Sequence, residues 1–262
     1  MLKLLKANLY RIVKAKLFYI TLAIVFALPL LMVLLYYAIG VASVALTSDE
    51  TFKDLIGVNY LIGSAFSPTD NMGLVLIVFG SIFIANDFSH GTLRNKIIIG
   101  NTRTNVVLSH FVSTLIYLVV MIVFYALFLF FFGTLFLGYD KIDAEKLNYL
   151  FQWLVLGILT YVYIASLVTL GMMVTKNVAL TIIFSFVLSF ALQLIATAII
   201  MIAPETLQNY LHLLPLYSEN VIQQTHVAHS TIHFIEGVGS LVLFSAVNVV
   251  VAVLLFKKTD LK

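Results

Sequence analysis

The sequence predicts an all-α integral membrane protein, for reasons of composition and hydropathy. The chain has 262 residues, of which 62% are hydrophobic and only 10% are charged, whereas soluble domains have about 25% charged residues. A helix needs about 20 apolar residues to cross a bilayer. Six apolar runs of this kind, the second of them short, lie near 17–39, 72–86, 106–137, 149–174, 178–203 and 238–256. We therefore expect six transmembrane helices in a single membrane domain, residues 1–262.

The distribution of basic residues predicts the orientation in the membrane. If residue 1 is cytoplasmic, 12 of the 15 Lys and Arg residues fall in cytoplasmic segments. Most of the 12 Asp and Glu residues then fall on the other side. Cytoplasmic loops of membrane proteins are enriched in Lys and Arg. The sequence thus predicts a multi-pass protein, surrounded by lipid bilayer, with both termini in the cytoplasm.

Residues 1–16, before the first span, are predicted to form an amphipathic helix. Helical periodicity separates apolar from basic side chains. The apolar face consists of Leu2, Leu5, Leu9, Ile12 and Val13, and the basic face of Lys3, Lys6, Arg11 and Lys14. We expect the helix in the inner membrane interface, with its basic face towards anionic headgroups. A simple basic anchor is the alternative.

A charged interval separates the second and third apolar runs. It reads NDFSHGTLRNKIIIGNTR over 86–103, and a polar segment of this length should lie in water or against a partner. Its informative residues are Asp87, Phe88, Gly91, Thr92, Leu93, Arg94 and Arg103. They resemble the first cytoplasmic loop of type-2 ABC-transporter permeases, where an acidic-Phe pair precedes Gly-Thr-Leu-Arg and a Pro-x-Ser-Arg element follows. Here Gly100 stands where that element has proline.

The resemblance implies a permease subunit of an ABC exporter in the bacterial plasma membrane. It implies that residues 87–104 form a cytoplasmic coupling loop with a short helix, and that residues 1–16 are the interfacial helix of the family. It also implies re-entrant outer helices between spans five and six, in the extracellular segment 204–237. The partners would be two copies of an ABC ATPase subunit and a second permease chain, identical or homologous. ATP and Mg would be bound by the ATPase, with no cofactor in this chain.

The residues of the 87–104 loop suit such a docking role. Phe88 and Leu93 would be apolar anchors, and Arg94, Lys96 and Arg103 would supply complementary charge. Asp87 is placed to stabilise the start of a helix, and Gly91 to allow a bend. A solvated basic loop is the alternative interpretation. Exporters of this kind carry amphipathic peptides, antimicrobial agents or other lipophilic, drug-like compounds, so the resemblance implies that substrate class.

Motifs for enzyme chemistry are missing from the sequence. There is no G-x-x-x-x-G-K-[ST] phosphate loop, no H-E-x-x-H and no G-x-S-x-G. All Asp and Glu residues fall in loops or at span ends, which argues against ion coupling inside the membrane. We therefore expect no enzyme activity in this chain, no nucleic-acid partner, and a motor on another chain. A membrane scaffold or sensor subunit that does not itself transport is the alternative.

Two sets of polar residues are further candidates. The fifth run has polar residues every four positions, and of these Ser185, Ser189 and Gln193 are predicted to line a substrate path between two permease chains. Hydrogen bonding within one chain is the alternative. Glycines of the second run, Gly73 and Gly80, would permit close helix approach. In the outer segment, His226, His229 and His233 share a helical face and are weak candidates for a metal site.

Overall fold

The computed structural model describes residues 1–47, 64–68, 71–89, 92–138, 144–202, 208–225 and 227–258. Within these ranges, side chains are described except at 42–47, 71, 87–89, 92–94, 144–145 and 209. The described residues form nine α-helices and two 3-10 turns, Ser64–Phe66 and Asn209–Leu213. The helices are α1 Leu2–Lys14, α2 Lys16–Thr47, α3 Asn71–Ser89, α4 Thr92–Ile98, α5 Arg103–Leu137, α6 Ala144–Thr175, α7 Val178–Ile202, α8 Tyr217–Thr225 and α9 Thr231–Lys258.

Five of the described helices, α2, α5, α6, α7 and α9, are long and apolar enough to cross a membrane. The prediction of an all-α membrane protein is therefore confirmed. The second predicted run forms α3, whose apolar part, Met72–Asn86, is shorter than the other five. At about 1.5 Å per residue, its 19 residues extend about 28 Å.

Helix ends are fixed by local sequence signals. The turn between α6 and α7 is tight, with Lys176 at a positive φ of 52°. Asn177 then caps α7, because its side-chain oxygen accepts hydrogen bonds from the backbone N–H groups of Ala179 and Leu180. This two-residue connection makes α6 and α7 antiparallel neighbours.

Helix α6 is the most buried of the spans, and α3, α5, α7 and α9 pack against it. Helix α9 lies along α6, where the Asn248 side chain donates to the Ser166 hydroxyl at 3.1 Å. Helix α5 contacts α6, α3 and α9, and on another side it holds α2. The α2–α5 contact includes a hydrogen bond of 2.8 Å from the Tyr117 hydroxyl to Thr21.

The bundle has two chemically different ends. At one end, which we call the basic end, Leu4 of α1, Val106 of α5, Met173 of α6 and Phe256 of α9 share a buried apolar cluster. At the opposite end, Phe66 of the first 3-10 turn packs on α6, and a Cβ at Gly157 would lie 2.9 Å from the Phe66 Cβ. The second 3-10 turn and α8 also fold back onto α6 and α9 there.

Helix α1 is present as predicted, and the side that it turns towards the rest of the protein differs from the apolar face of the sequence pattern. Leu4, Asn8 and Ile12 are the buried positions, whereas Leu2 and Val13 are exposed. In a bilayer, apolar side chains can face lipid as well as protein, so amphipathic periodicity does not identify the protein-facing side.

Candidate functional site

The segment between α3 and α5 folds as a short helix and a tight corner. Helix α4 ends at Ile98, and Gly100 follows with φ +96°, a conformation that side chains rarely adopt. Asn101 then bonds back to the Lys96 carbonyl at 2.8 Å. Thr102 caps α5, since its hydroxyl accepts from the Asn105 N–H at 3.3 Å. Gly100 thus makes the turn that leads from α4 into α5.

Lys96 joins α4 to two other helices at the basic end. Its ammonium donates to the side-chain oxygen of Asn8 in α1 at 2.9 Å and lies 3.5 Å from Nε2 of His110 in α5. An ammonium can only donate, so Nε2 of His110 is on the acceptor side of this contact. The Asn8 amide also donates to the Ser109 hydroxyl at 3.3 Å. Asn8, Ser109 and His110 are buried, so this is an internal polar junction.

Arg103 joins the same corner to the end of α9. Its Nη1 donates to the carbonyl oxygens of Phe256 and Lys257 at 3.2 and 2.8 Å. Carbonyls of a last helical turn have no partner within the helix and carry partial negative charge. Arg103 therefore caps the C-terminal end of α9 within the same chain, in addition to any charge that it presents to a partner.

The other predicted coupling residues are placed only by their backbone. Asp87 and Phe88 lie in the last turn of α3, and Thr92, Leu93 and Arg94 begin α4. Their side chains, and Gly91 altogether, lie outside the described residues. Ile98 and Ile99, at the end of α4, are exposed to 70% and 80%, and sequence reasoning missed them.

The polar line of the fifth run lies on the inner side of α7. Thr181, Ser185 and Ser189 are fully buried, while the opposite face is exposed and apolar. Helix α7 contacts α6 and α3. Ser189 donates to the Ser185 carbonyl at 2.9 Å, whereas the Ser185 hydroxyl has no hydrogen-bond partner. This is the placement expected for packing within one chain, and a role in a substrate path, shared with the half-buried Gln193, stays a prediction.

The glycines of α3 make their close approaches inside the chain. A Cβ at Gly80 would lie 3.3 Å from Leu118 and 3.6 Å from Thr114, both in α5. Gly73 lies against the backbone of Ser67 and Pro68 rather than against a helix. Close packing is thus confirmed for Gly80, but its neighbour is α5.

Three histidines meet at the opposite end of the bundle, and they differ from the predicted set. His226 lies outside the described residues. His229 and His233 both contact His212 of the second 3-10 turn, with ring centroids 5.2 and 4.1 Å away. Ser218 of α8 bridges His212 and His229. Its hydroxyl lies 2.9 Å from Nδ1 of His212, and its carbonyl accepts from Nε2 of His229 at 2.6 Å. We call His212, His229 and His233, with Ser218 and Glu236, the histidine cluster.

Burial dominates the electrostatics of the histidine cluster. Burial, with smaller contributions from the neighbouring His233 and His229 and against an opposing contribution from Glu236, lowers the pKa of His212 to about 4. Burial likewise lowers the pKa of His229. Glu236 lies 3.2 Å from Nδ1 of His233. Across the described part of the chain, no group of three or more His, Asp or Glu side chains is arranged to hold a metal ion.

Comparison with known proteins establishes the family of the chain. A family model described as "Protein of unknown function (DUF2705)" matches residues 65–262, which is more than half of the sequence. The chain belongs to the DUF2705 family. No curated protein matches it.

The DUF2705 match covers most, but not all, of the candidate functional residues described above. Helix α4, Arg103, the polar line of α7 and the whole histidine cluster lie within the matched residues. Helices α1 and α2 lie outside, and with them Asn8. The Lys96–Asn8 bond therefore joins the matched part of this DUF2705 protein to its N-terminal helix.

Proposed function

We propose that this DUF2705 protein is the membrane-spanning permease subunit of an ATP-driven ABC exporter. The observation that carries the proposal is the placement of α4, the short helix in the loop with the Gly-Thr-Leu-Arg pattern. Through Lys96 it is bonded to α1 and lies against α5, and the following corner is bonded to α9 through Arg103. If a motor protein displaced α4, these contacts would transmit the movement directly to α1, α5 and α9.

The same end presents a surface for that motor. Ile98 is the last residue of α4 and Ile99 follows it, and both are large, exposed apolar side chains. Asn95, on the last turn of α4, is exposed as well. Buried apolar anchors surrounded by complementary charge are typical of protein interfaces. We propose that they join the predicted anchors Phe88 and Leu93 in docking an ABC ATPase subunit, with two ATPase copies and a second permease chain in the complete exporter.

We further propose six spans with both termini in the cytoplasm of a bacterium. Helix α3 starts beside Ser67 and Pro68, close to Phe66 at the opposite end, and finishes next to α4 at the basic end. It therefore runs between the same two ends as its neighbour α5. Placing the basic end in the cytoplasm puts 12 of the 15 Lys and Arg residues on that side. The segment containing α8 would then be extracellular and fold back towards the membrane.

The proposed substrate is an amphipathic or lipophilic compound, such as a peptide, an antimicrobial or a drug-like molecule. Exposed apolar faces on α2, α7 and α9 give such a compound access along the lipid-facing surface. If Ser185 and Ser189 belong to the path, α7 must separate from α6 or α3 during the cycle, because both serines are buried in this conformation. A scaffold or sensor subunit without transport remains the second candidate, favoured by the same docking surface.

The test is ATP-dependent transport by the purified native complex. The tagged chain is isolated from its membranes with bound subunits and reconstituted into liposomes, and vanadate-sensitive ATP hydrolysis is measured with and without amphipathic peptides. Substrate-stimulated hydrolysis together with ATP-dependent peptide movement supports the permease. Hydrolysis without movement supports the scaffold or sensor, and a complex without any ATPase contradicts both.

A further inference from the structure

We propose that the histidine cluster is a proton-binding latch that holds the second 3-10 turn and α8 onto α6 and α9, and that protonation loosens it. The cluster lies at the opposite end of the bundle from α4, so this proposal does not depend on the proposed transport function. Its basis is the contact among three imidazole rings contributed by separate segments of the chain.

The cluster is the place where four segments meet. His212 comes from the second 3-10 turn, Ser218 from α8, His229 from the segment 227–230, and His233 from α9. Helix α6 joins through Gln152, whose amide donates to the His229 carbonyl at 3.0 Å and whose oxygen accepts from the His229 N–H at 2.7 Å. Breaking these contacts would remove the polar bonds that help to hold the turn and α8 on both long helices.

Hydrogen bonding fixes which nitrogens carry protons in the latched state. A carbonyl can only accept, so Nε2 of His229 carries the hydrogen that bonds to Ser218. Nδ1 of His233 lies 3.2 Å from the Glu236 carboxyl oxygen. The other nitrogen of His229, Nδ1, is then the one that can take up a proton, and the resulting cation lies against the His212 ring.

The geometry favours protons over a metal ion as the ligand. The rings of His212 and His233 are stacked, at an interplanar angle of 19°. Nitrogen lone pairs lie in the ring plane, so stacked rings direct them along parallel planes rather than at a shared point. One nitrogen in each ring is already bonded to Ser218 or Glu236. Stacked imidazoles tolerate one another when neutral and repel when both are charged.

The charged groups around His212 give the direction of the pH effect. On α9 they are His233 and Glu236, and in the segment before it His229. On α8 the Tyr217 ring contacts His212, and Glu219, the residue after Ser218, is buried. From α6, the neutral Gln152 is bonded to the backbone of His229, which in turn contacts His212. Glu236 favours protonation of His212, but burial and the two other histidines outweigh it, so the pKa of His212 is lowered.

A lowered histidine pKa means that the latched state binds protons more weakly than the open state. The stability contributed by neutral His212 is fully present above about pH 6.5 and is lost as the pH falls towards 4. With those two values, the ratio of open to latched molecules rises roughly thirtyfold between pH 7.5 and pH 5 from His212 alone.

The absence of cysteine from the chain allows a direct test. In the full chain, Ile222→Cys places a thiol at a buried position of α8, and Tyr210→Cys places one at an exposed position of the second turn. A water-soluble maleimide is applied from pH 7.5 to pH 5 in EDTA. The ratio of the two labelling rates corrects for the change in thiolate. We expect this ratio to rise at least tenfold as the pH falls.

Two further variants make the result decisive. His233→Gln, at a half-exposed position, and His212→Gln should each flatten the rise, and a combination of both should abolish it. Ala165→Cys, buried in α6, should stay unlabelled at every pH, which separates loosening of α8 from unfolding of the bundle. Three outcomes would overturn the proposal. The labelling ratio could stay constant with pH when the histidine cluster is intact, it could rise equally in the histidine variants, or it could change only when Zn²⁺ replaces EDTA.

Discussion

The ammonium of Lys96 donates to the side-chain oxygen of Asn8 at 2.9 Å, although 88 positions separate the two residues in the sequence. The bond links α1 directly to α4 at the basic end. Asn8 is buried, so its oxygen would have no water to replace a lost donor.

Replacing Lys96 with Met should therefore lower the stability of the protein and, in the proposed exporter, impair the coupling of ATP hydrolysis to substrate. Leaving a buried acceptor without a donor costs about 1–3 kcal/mol, and we expect a lower thermal midpoint together with ATP hydrolysis that no longer responds to substrate. Lys6→Met, which removes an exposed charge from α1, is the matched control and should change neither. Adding Asn8→Leu to the Lys96 variant should restore part of the stability; additive losses would show that the two residues do not interact.

Replacing Arg103 with Gln should loosen the last turn of α9. The variant loses two charge-assisted bonds to the Phe256 and Lys257 carbonyls, at an expected cost of about 1 kcal/mol. Amide hydrogen exchange should become faster in α9 after Phe256 and in the first turn of α5. The control Lys258→Gln removes a neighbouring charge without removing a bond, and equal acceleration there would contradict the assignment.

Ser185→Ala tests the position of the polar line on α7. The Ser185 hydroxyl is buried without a hydrogen-bond partner, so its removal should leave stability unchanged or raise it by about 1 kcal/mol. Ser189→Ala, which removes a bond to the helix backbone, is the comparison. Thermal unfolding in detergent measures both. Loss of stability on Ser185→Ala would mean that the hydroxyl bonds to water or substrate in a wetted path.

Gly237→Ala should detach α8 from α9. A Cβ at this position would lie 2.6 Å from the Ser218 Cβ, too close for either backbone to stay in place. We expect destabilisation by about 1–3 kcal/mol and faster labelling of Ile222→Cys at neutral pH. Gly239→Ala is a control in the same helix, because nothing lies within 4 Å of its Cβ position. It should be neutral or stabilising by about 0.5–1 kcal/mol.

Single cysteines also test the orientation. A thiol at the exposed Asn95 should react with an impermeant reagent only in inside-out vesicles, and one at Tyr210 only in intact cells. The opposite pattern would place the basic end outside and would contradict docking of a cytoplasmic ATPase.

Sequence patterns predicted the helices well because hydrophobic length and local turn signals are local properties. The described part of each apolar run lies within one helix. The faces of the helices were harder to predict. In water an apolar face turns inward, but in lipid the inner face of α7 is its serine line, and that of α1 includes Asn8.

Contacts between distant segments could not be predicted from the same patterns. His212 lies near neither His229 nor His233 in the sequence, and only the return of the second 3-10 turn onto α9 brings the rings together. The predicted trio instead rested on a shared helical face, whereas His229 lies before the start of α9. Lys96 was recognised for its charge, but its partner Asn8 carried no signal in its own segment.

The hydrogen bond between Tyr117 and Thr21 bears on how members of the family can diverge. Tyr117 belongs to the part of the chain matched by the DUF2705 model, and Thr21 to the part before it. The Phe26 ring likewise meets Phe128 and Phe132 edge-on, at 5.3 and 5.6 Å. A relative that replaced its first span would have to supply a new acceptor for that phenol and a new aromatic partner for those rings. Substitutions in the two regions should therefore be inherited together. A chimaera that exchanges only residues 1–64 with a relative should fail to fold, and one that also exchanges α5 should fold.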